Sequence, residues 1–226
     1  MNMKKNIAVA LALASVVCAH AQDKKYPEPE GMRPGMTEFW TPQRKVVTPG
    51  DIKTNSAPSD AIVLFDGKNL DAWHNGNGGP AEWIVKNGVV TVDKTKGDIV
   101  TRKNFGSFQL HLEWCVPADI NGMTGSIYKQ TPPQVNAMRK PGEWNVYDII
   151  YTAPVFKEDG TYLYRPRVTV IHNGVVLQNN TEILGTTEYI GIPKVVPHGD
   201  GPIRLQMHGD PSKGISFRNI WIREMK

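Results

Sequence analysis

His111 and Glu113 stand two residues apart in the alternating run from Phe108 to Val116. Glu143, Asn145 and Tyr147 repeat that spacing after Pro141-Gly142, and so do Gln206 and His208 further on. In a β-strand, residues two apart share a face. If these strands are neighbours, their polar positions form one concave surface with carboxylates, histidines and aromatic rings. Sugars suit such a surface, because rings stack on aromatic faces while hydroxyls need many polar partners. A solvated sheet face accounts for the same spacing, and the spacing alone does not choose between the two.

Other chemistries leave no trace. The six histidines show no HExxH or HxH spacing, and no GxSxG elbow, P-loop or dinucleotide fingerprint is present. No ligand spacing demands a metal. The net charge is +4, but Lys4, Lys5, Lys24 and Lys25 lie near the N-terminus. No dense Lys/Arg block follows, so there is no nucleic-acid footprint.

The elements that must position these residues read as β throughout. Pro141-Gly142 opens a turn, and residues 143–151 alternate. Trp144, Val146 and Ile150 point one way, read as the dry face. Glu143, Asn145, Tyr147 and Tyr151 point the other way, read as a groove. Asp148 interrupts the dry face and needs a hydrogen-bonding partner if it is buried. Phe108, Leu110, Leu112 and Trp114 read as inward, against Gln109, His111 and Glu113. Asn87-Gly88 and Asn173-Gly174 each sit between two apolar runs, the strongest short hairpin signal. Further strands are expected at 61–65, 99–101, 125–130, 203–208 and 215–223. With 21 glycines, 17 prolines and almost no helical periodicity, the pattern is that of a sandwich or barrel.

Residues 1–21 read as a secretory signal peptide, with Lys4 and Lys5, the apolar run Ile7 to Cys18, and Ala19-His20-Ala21 before the cleavage point. This predicts a periplasmic or secreted protein. Only Cys115 remains after cleavage, so an internal disulfide is excluded. No later stretch is long and apolar enough to span a membrane. Residues 22–60 read as a Pro-rich arm in which Phe39 and Trp40 favour docking over a free tether. Residues 61–226 read as the domain.

Five motifs in order resemble the 3-keto-disaccharide hydrolase family: Ala61 to Leu70 with Trp73, Gly142 to Ile149, Val168 to Gly174, Leu205 to Gly209, and Phe217 to Ile222. The resemblance runs from about residue 37 onward. It implies a concanavalin-A-like jelly-roll sandwich of two antiparallel sheets, acting on an oligosaccharide or glycoside. It also implies cleavage of 3-keto-glycosides. A ketone at C3 acidifies the C2 proton, and the group on C1 then leaves by elimination. Such a site needs a base, a stabiliser for the enolate oxygen and an acid for the leaving group. On the motif positions, Glu113 or His208 is the candidate base and Lys129 or Arg218 the candidate stabiliser. Asp148, Gln206, Tyr147 and Trp144 are candidate sugar contacts. Arg218 has the alternative of pairing with a carboxylate such as Asp148. A divalent cation is another way to hold the enolate oxygen. The rival reading is a lectin-like binding module without turnover.

The sequence departs from the family in one place. Relatives carry two further strands between the equivalents of Trp114 and Gly125, where this chain has only Cys115 to Thr124. That shortening predicts a polar face left incomplete near Glu113.

Overall fold

Antiparallel pairing organises this chain, and its hairpins fall where Asn-Gly pairs stand. The structure, a computed structural model, describes Gly31, Arg33, Met36 and residues 44–118, 124–209 and 211–225. The expected signal peptide, together with Phe39 and Trp40, lies outside the described residues. Two compact units divide the chain, residues 1–46 and 47–226, and the second carries everything described below.

Thirteen strands form among the described residues, with no α-helix. They are β1 (Ile62–Phe65), β2 (Trp73–Asn75), β3 (Ile84–Lys86), β4 (Val89–Thr91), β5 (Ile99–Phe105), β6 (Phe108–Cys115), β7 (Asn145–Thr152), β8 (Val155–Phe156), β9 (Tyr162–Tyr164), β10 (Arg167–His172), β11 (Val175–Glu182), β12 (Gly201–Leu205) and β13 (Ser216–Glu224). The large sheet runs β11-β10-β7-β6-β13-β4-β3, with β1 also on β13. A smaller sheet runs β12-β5-β2, and β8 pairs with β9. Asn87 and Gly88 have φ of 54° and 77°, and Asn173 and Gly174 of 51° and 83°. Both pairs therefore make two-residue hairpins with both φ positive, which Asn-Gly tolerates best. Residues 125–130 do not continue the sheet as expected. They form a turn closed by an Ile127–Thr131 bridge.

The two main sheets sandwich one core. Leu110, Leu112, Trp114, Ile220 and Ile222 come from the large sheet, and Ile99, Phe105 and Trp73 from the small one. Burying each such side chain contributes roughly 1.5–3 kcal/mol. The result is a jelly-roll sandwich.

On β7 the alternation holds, but the two faces are exchanged relative to the expectation. Asn145, Tyr147 and Ile149 turn toward the core, while Val146, Asp148 and Ile150 share the outer face with His111 and Glu113 of β6. Tyr147 packs against Trp114 and His172, with ring centroids 5.2 and 4.7 Å away. Three aromatic rings cover more apolar area here than Val146 and Ile150 would, so the aromatic face goes in. Tyr147 is therefore a core residue.

Asn145 is fully buried, and its polar atoms are satisfied locally. Its Oδ1 accepts from the Arg139 backbone N–H at 2.9 Å, from Asn173 Nδ2 at 3.0 Å and from His172 Nε2 at 3.0 Å. An amide oxygen only accepts, so Nε2 of His172 carries the proton. Burial, helped by the charge of Arg139, holds the His172 pKa below the ordinary value. Asn145→Ala removes the acceptor these three donors share. It should cost about 1–3 kcal/mol, the penalty for stranding buried donors. Urea unfolding checks this, and an unchanged midpoint would refute the hub.

Candidate functional site

The outer face of the large sheet carries a buried polar cluster where β6, β7 and β13 run side by side. Glu113 pairs in register with Val146 on one side and Arg218 on the other. His111 pairs with Asp148 and Trp221 in the same way. Along β13 the step from Arg218 to Trp221 spans three residues, while the facing step on β6 spans two. The extra residue is a β-bulge, and Asn219 takes it up with φ of +47°. Asparagine accepts this left-handed conformation more readily than most residues. The bulge turns Arg218 and Asn219 both toward Glu113.

Glu113 is 5% exposed. Arg218 Nε donates to Oε2 at 2.6 Å, and Asn219 Nδ2 donates to Oε1 at 3.0 Å. Burial alone would raise the Glu113 pKa. The hydrogen bonds from Asn219 and Arg218, with the nearby positive charge, outweigh it and hold the carboxyl below its ordinary value. Glu113 is thus a fixed anion. The Arg218 guanidinium also lies over the Trp144 ring, 4.1 Å from its centroid. Arg218 therefore pairs with Glu113 and not with Asp148.

His111 is 2% exposed. Its Nδ1 donates to Asp148 Oδ1 at 2.8 Å, and its ring stacks on Trp221 at 5.0 Å. Nε2 then faces Asn219 Nδ2 at 3.4 Å and Glu113 Oε1 at 3.9 Å. The partner that Asp148 needed is His111.

Residues 47–60, read from sequence as part of an arm, fold onto this cluster. Asp51 Oδ1 accepts from the Lys53 N–H at 2.7 Å, and the Asp51 carbonyl accepts from the Thr54 and Ser56 N–H groups at 3.2 and 3.3 Å. Gly50 permits the tight turn, since a Cβ there would stand 1.7 Å from the Ser56 carbonyl oxygen. The Thr54 and Asn55 carbonyls accept from Asn219 Nδ2 at 3.2 and 3.1 Å, and the Asn55 carbonyl accepts from Trp221 Nε1 at 3.0 Å. Arg223 Nε contacts both oxygens of Asp60, at 2.9 and 2.8 Å. The face near Glu113, expected to be incomplete, is covered by this turn and by Asn219.

Between the turn and β7 lies a cleft of about 560 Å³, lined by Lys53, Asn55, Glu113, Arg139, Glu143, Trp144 and Arg218 among others. It offers two carboxylates, three cations and one indole. A second cavity of about 460 Å³ opens between the sheets. Its walls include Phe105, Phe108, Leu110 and Ile149, so it is mostly an unfilled edge of the core.

Glu113, Arg218 and Trp144 therefore meet at one cleft, and Asp148 reaches it through His111. The other candidates lie elsewhere. Lys129 sits in the turn beside β11, at the far side of the sheet, where Nζ donates to the Tyr189 carbonyl and lies 4.8 Å from the Tyr189 ring centroid. Gln206 and His208 follow β12, which pairs with β5 and not with β6 or β7. Both are exposed on the small sheet, while their neighbours Leu205 and Met207 pack into the core. The common surface joining them to Glu113 does not form, because β12 belongs to the other sheet. The period-two spacing placed His111 with Glu113 on the expected polar face but gave it neither a catalytic nor a sugar-contact role. Asn219 and Lys53 carried no comparable signal, since a bulge and a docked turn are tertiary features. Among the described residues no group of three or more His, Cys, Asp or Glu side chains is arranged to hold a metal ion.

The fold has a solved counterpart. A crystal structure from Parabacteroides distasonis, described as a "putative glycosyl hydrolase", is 55% identical. The match covers 88% of this chain and 100% of that one, with a TM-score of 0.82. A second structure from the same organism, described in the same words, is 24% identical over 73% of this chain and 99% of that one, with a TM-score of 0.49. Among curated proteins none matches. The model of the 3-keto-alpha-glucoside-1,2-lyase-like domain matches residues 60–123 and 117–223. The two stretches meet at 117–123, inside the shortened connection. Since the match takes in β1 through most of β13 and every strand that builds the cleft, the chain belongs to the 3-keto-alpha-glucoside-1,2-lyase-like family.

Proposed function

We propose that this protein is a carbohydrate-active enzyme that cleaves the glycosidic bond of 3-keto-glycosides at the Glu113–Arg218–Trp144 cleft. The observation that carries the proposal is Glu113 itself: a buried, fixed carboxylate at the floor of a cleft with an indole wall and a guanidinium. The sugar ring packs against Trp144. Glu113 takes the C2 proton, and the electron pair left on C2 delocalises into the C3 carbonyl as an enolate. Arg218 is the positive charge nearest that developing oxyanion. The enolate collapses, C1=C2 forms, and the C1–O bond breaks toward the leaving group, which picks up a proton. Addition of water to C1 completes net hydrolysis. The sequence of residues 1–21 supports a periplasmic or secreted setting.

One observation favours a second reading, a lectin-like module. A carboxyl held down by two hydrogen bonds is a weak base. The purified protein is expected to cleave a chromogenic 3-keto-glucoside and to leave the parent glucoside intact. Calorimetry on the same pair separates the readings: binding without product favours the module, and equal or absent cleavage of both refutes the enzyme.

A further inference from the structure

The turn at residues 50–56 forms one wall of the cleft and lies outside the family-matched stretch, which begins at residue 60. It places Lys53 in the same cleft as Arg139 and Glu143. The charges of the cleft divide unevenly. Arg218 and Glu113 neutralise each other at 2.6 Å. Lys53, Arg139 and Glu143 are all exposed, and none of their side chains has a partner among the described residues. Two spare cations stand against one spare carboxylate. Cations lining one cleft concentrate an anionic ligand and orient it.

We propose that the cleft selects glycosides bearing a single carboxylate, held by Lys53 and Arg139, as in a uronic acid or an acidic leaving group. The inference rests on the reading of the cleft as a glycoside site. A single negative charge matches the one spare positive charge. The turn that delivers Lys53 is pinned at the bulge through the Thr54 and Asn55 carbonyls, so the ammonium emerges from an ordered wall.

Calorimetry with methyl β-D-glucoside and methyl β-D-glucuronide on the full chain tests this without requiring turnover. At low ionic strength the glucuronide should bind about fivefold to tenfold more tightly, and the gap should close in about 0.5 M salt. Lys53→Gln and Arg139→Gln should each bring the ratio of the two affinities toward one. Both positions are exposed, so the variants should melt with the wild type. Equal affinities for the two sugars, or a preference that survives both substitutions, would overturn the charge selection and leave the glycoside site standing. If neither sugar binds, as supplied or as its 3-keto derivative, the reading of the cleft falls, and this inference with it.

Discussion

Arg218→Ala should lower the melting temperature by roughly 5–10 °C and change how stability responds to pH. Arg218 supplies one of the two short hydrogen bonds to Glu113 and most of the charge that compensates its burial. Breaking a buried ion pair from one side costs about 3–5 kcal/mol. The lower end applies, because the Arg218 side chain is 43% exposed and water can take part of its place. About 3 kcal/mol in a domain of this size corresponds to that range of melting temperature. In the wild type the folded-state pKa of Glu113 is depressed. Its stabilising contribution is therefore complete above the ordinary carboxylate range and is lost as pH falls through the depressed folded value. Without Arg218 the carboxyl loses a hydrogen bond and its nearest positive charge, so its pKa rises relative to the wild type and protonation relieves the variant at a higher pH. The gap in melting temperature between the two proteins should narrow as pH falls from neutral through the ordinary carboxylate range. A gap of constant size would show that Glu113 and Arg218 are not coupled.

Glu113→Gln should reduce cleavage of the 3-keto-glucoside by about 10²–10⁴-fold, the usual worth of a general base. The substitution keeps the shape of the side chain. Its amide oxygen accepts from only one of Arg218 and Asn219, and its NH2 group faces the other donor, so some stability is lost too and activity is compared where circular dichroism shows the variant folded. Activity loss without unfolding separates the proton-transfer role from the structural one. The pH profile adds a second check. A carboxyl held below its ordinary value stays ionised through the neutral range, so the acid limb of kcat/KM should lie below the ordinary glutamate pKa. If Glu113→Gln retains full activity, Glu113 is only the anchor for Arg218, and the proton acceptor is another group.

Much of the scaffold is legible in the chain, because strand parity and turn chemistry are local. The hairpins at Asn87-Gly88 and Asn173-Gly174 follow from two residues each. The alternation of β6, with Leu110, Leu112 and Trp114 inward, is equally plain. Parity says which residues share a face, but not which face meets the core. On β7 the rings of Tyr147 and Tyr151 suggest a sugar platform, yet Tyr147 is needed between Trp114 and His172. Polar Asn145 goes inside with it, because Arg139, His172 and Asn173 are brought in from other segments to satisfy it. Strand neighbours are still less local. Gln206 and His208 have the right chemistry and the right spacing, but β12 joins β5. Asn219 and the 50–56 turn meet only because a one-residue bulge in β13 points an amide at two carbonyls about 165 residues earlier in the chain.

That amide reads main-chain oxygens. Nothing in the anchor depends on the side chain of residue 53, and residue 55 needs only to tolerate a φ of +50°. The wall of the cleft is therefore attached by one set of atoms and displays another. Lys53 is open to exchange without loosening the turn, while Gly50, Asp51 and Asn219 are not; the Thr54 hydroxyl still donates to the Asp51 carbonyl at 3.5 Å. A lineage could retune what this cleft accepts by changing one or two side chains, leaving the carboxylate, the bulge and the sheet beneath them untouched.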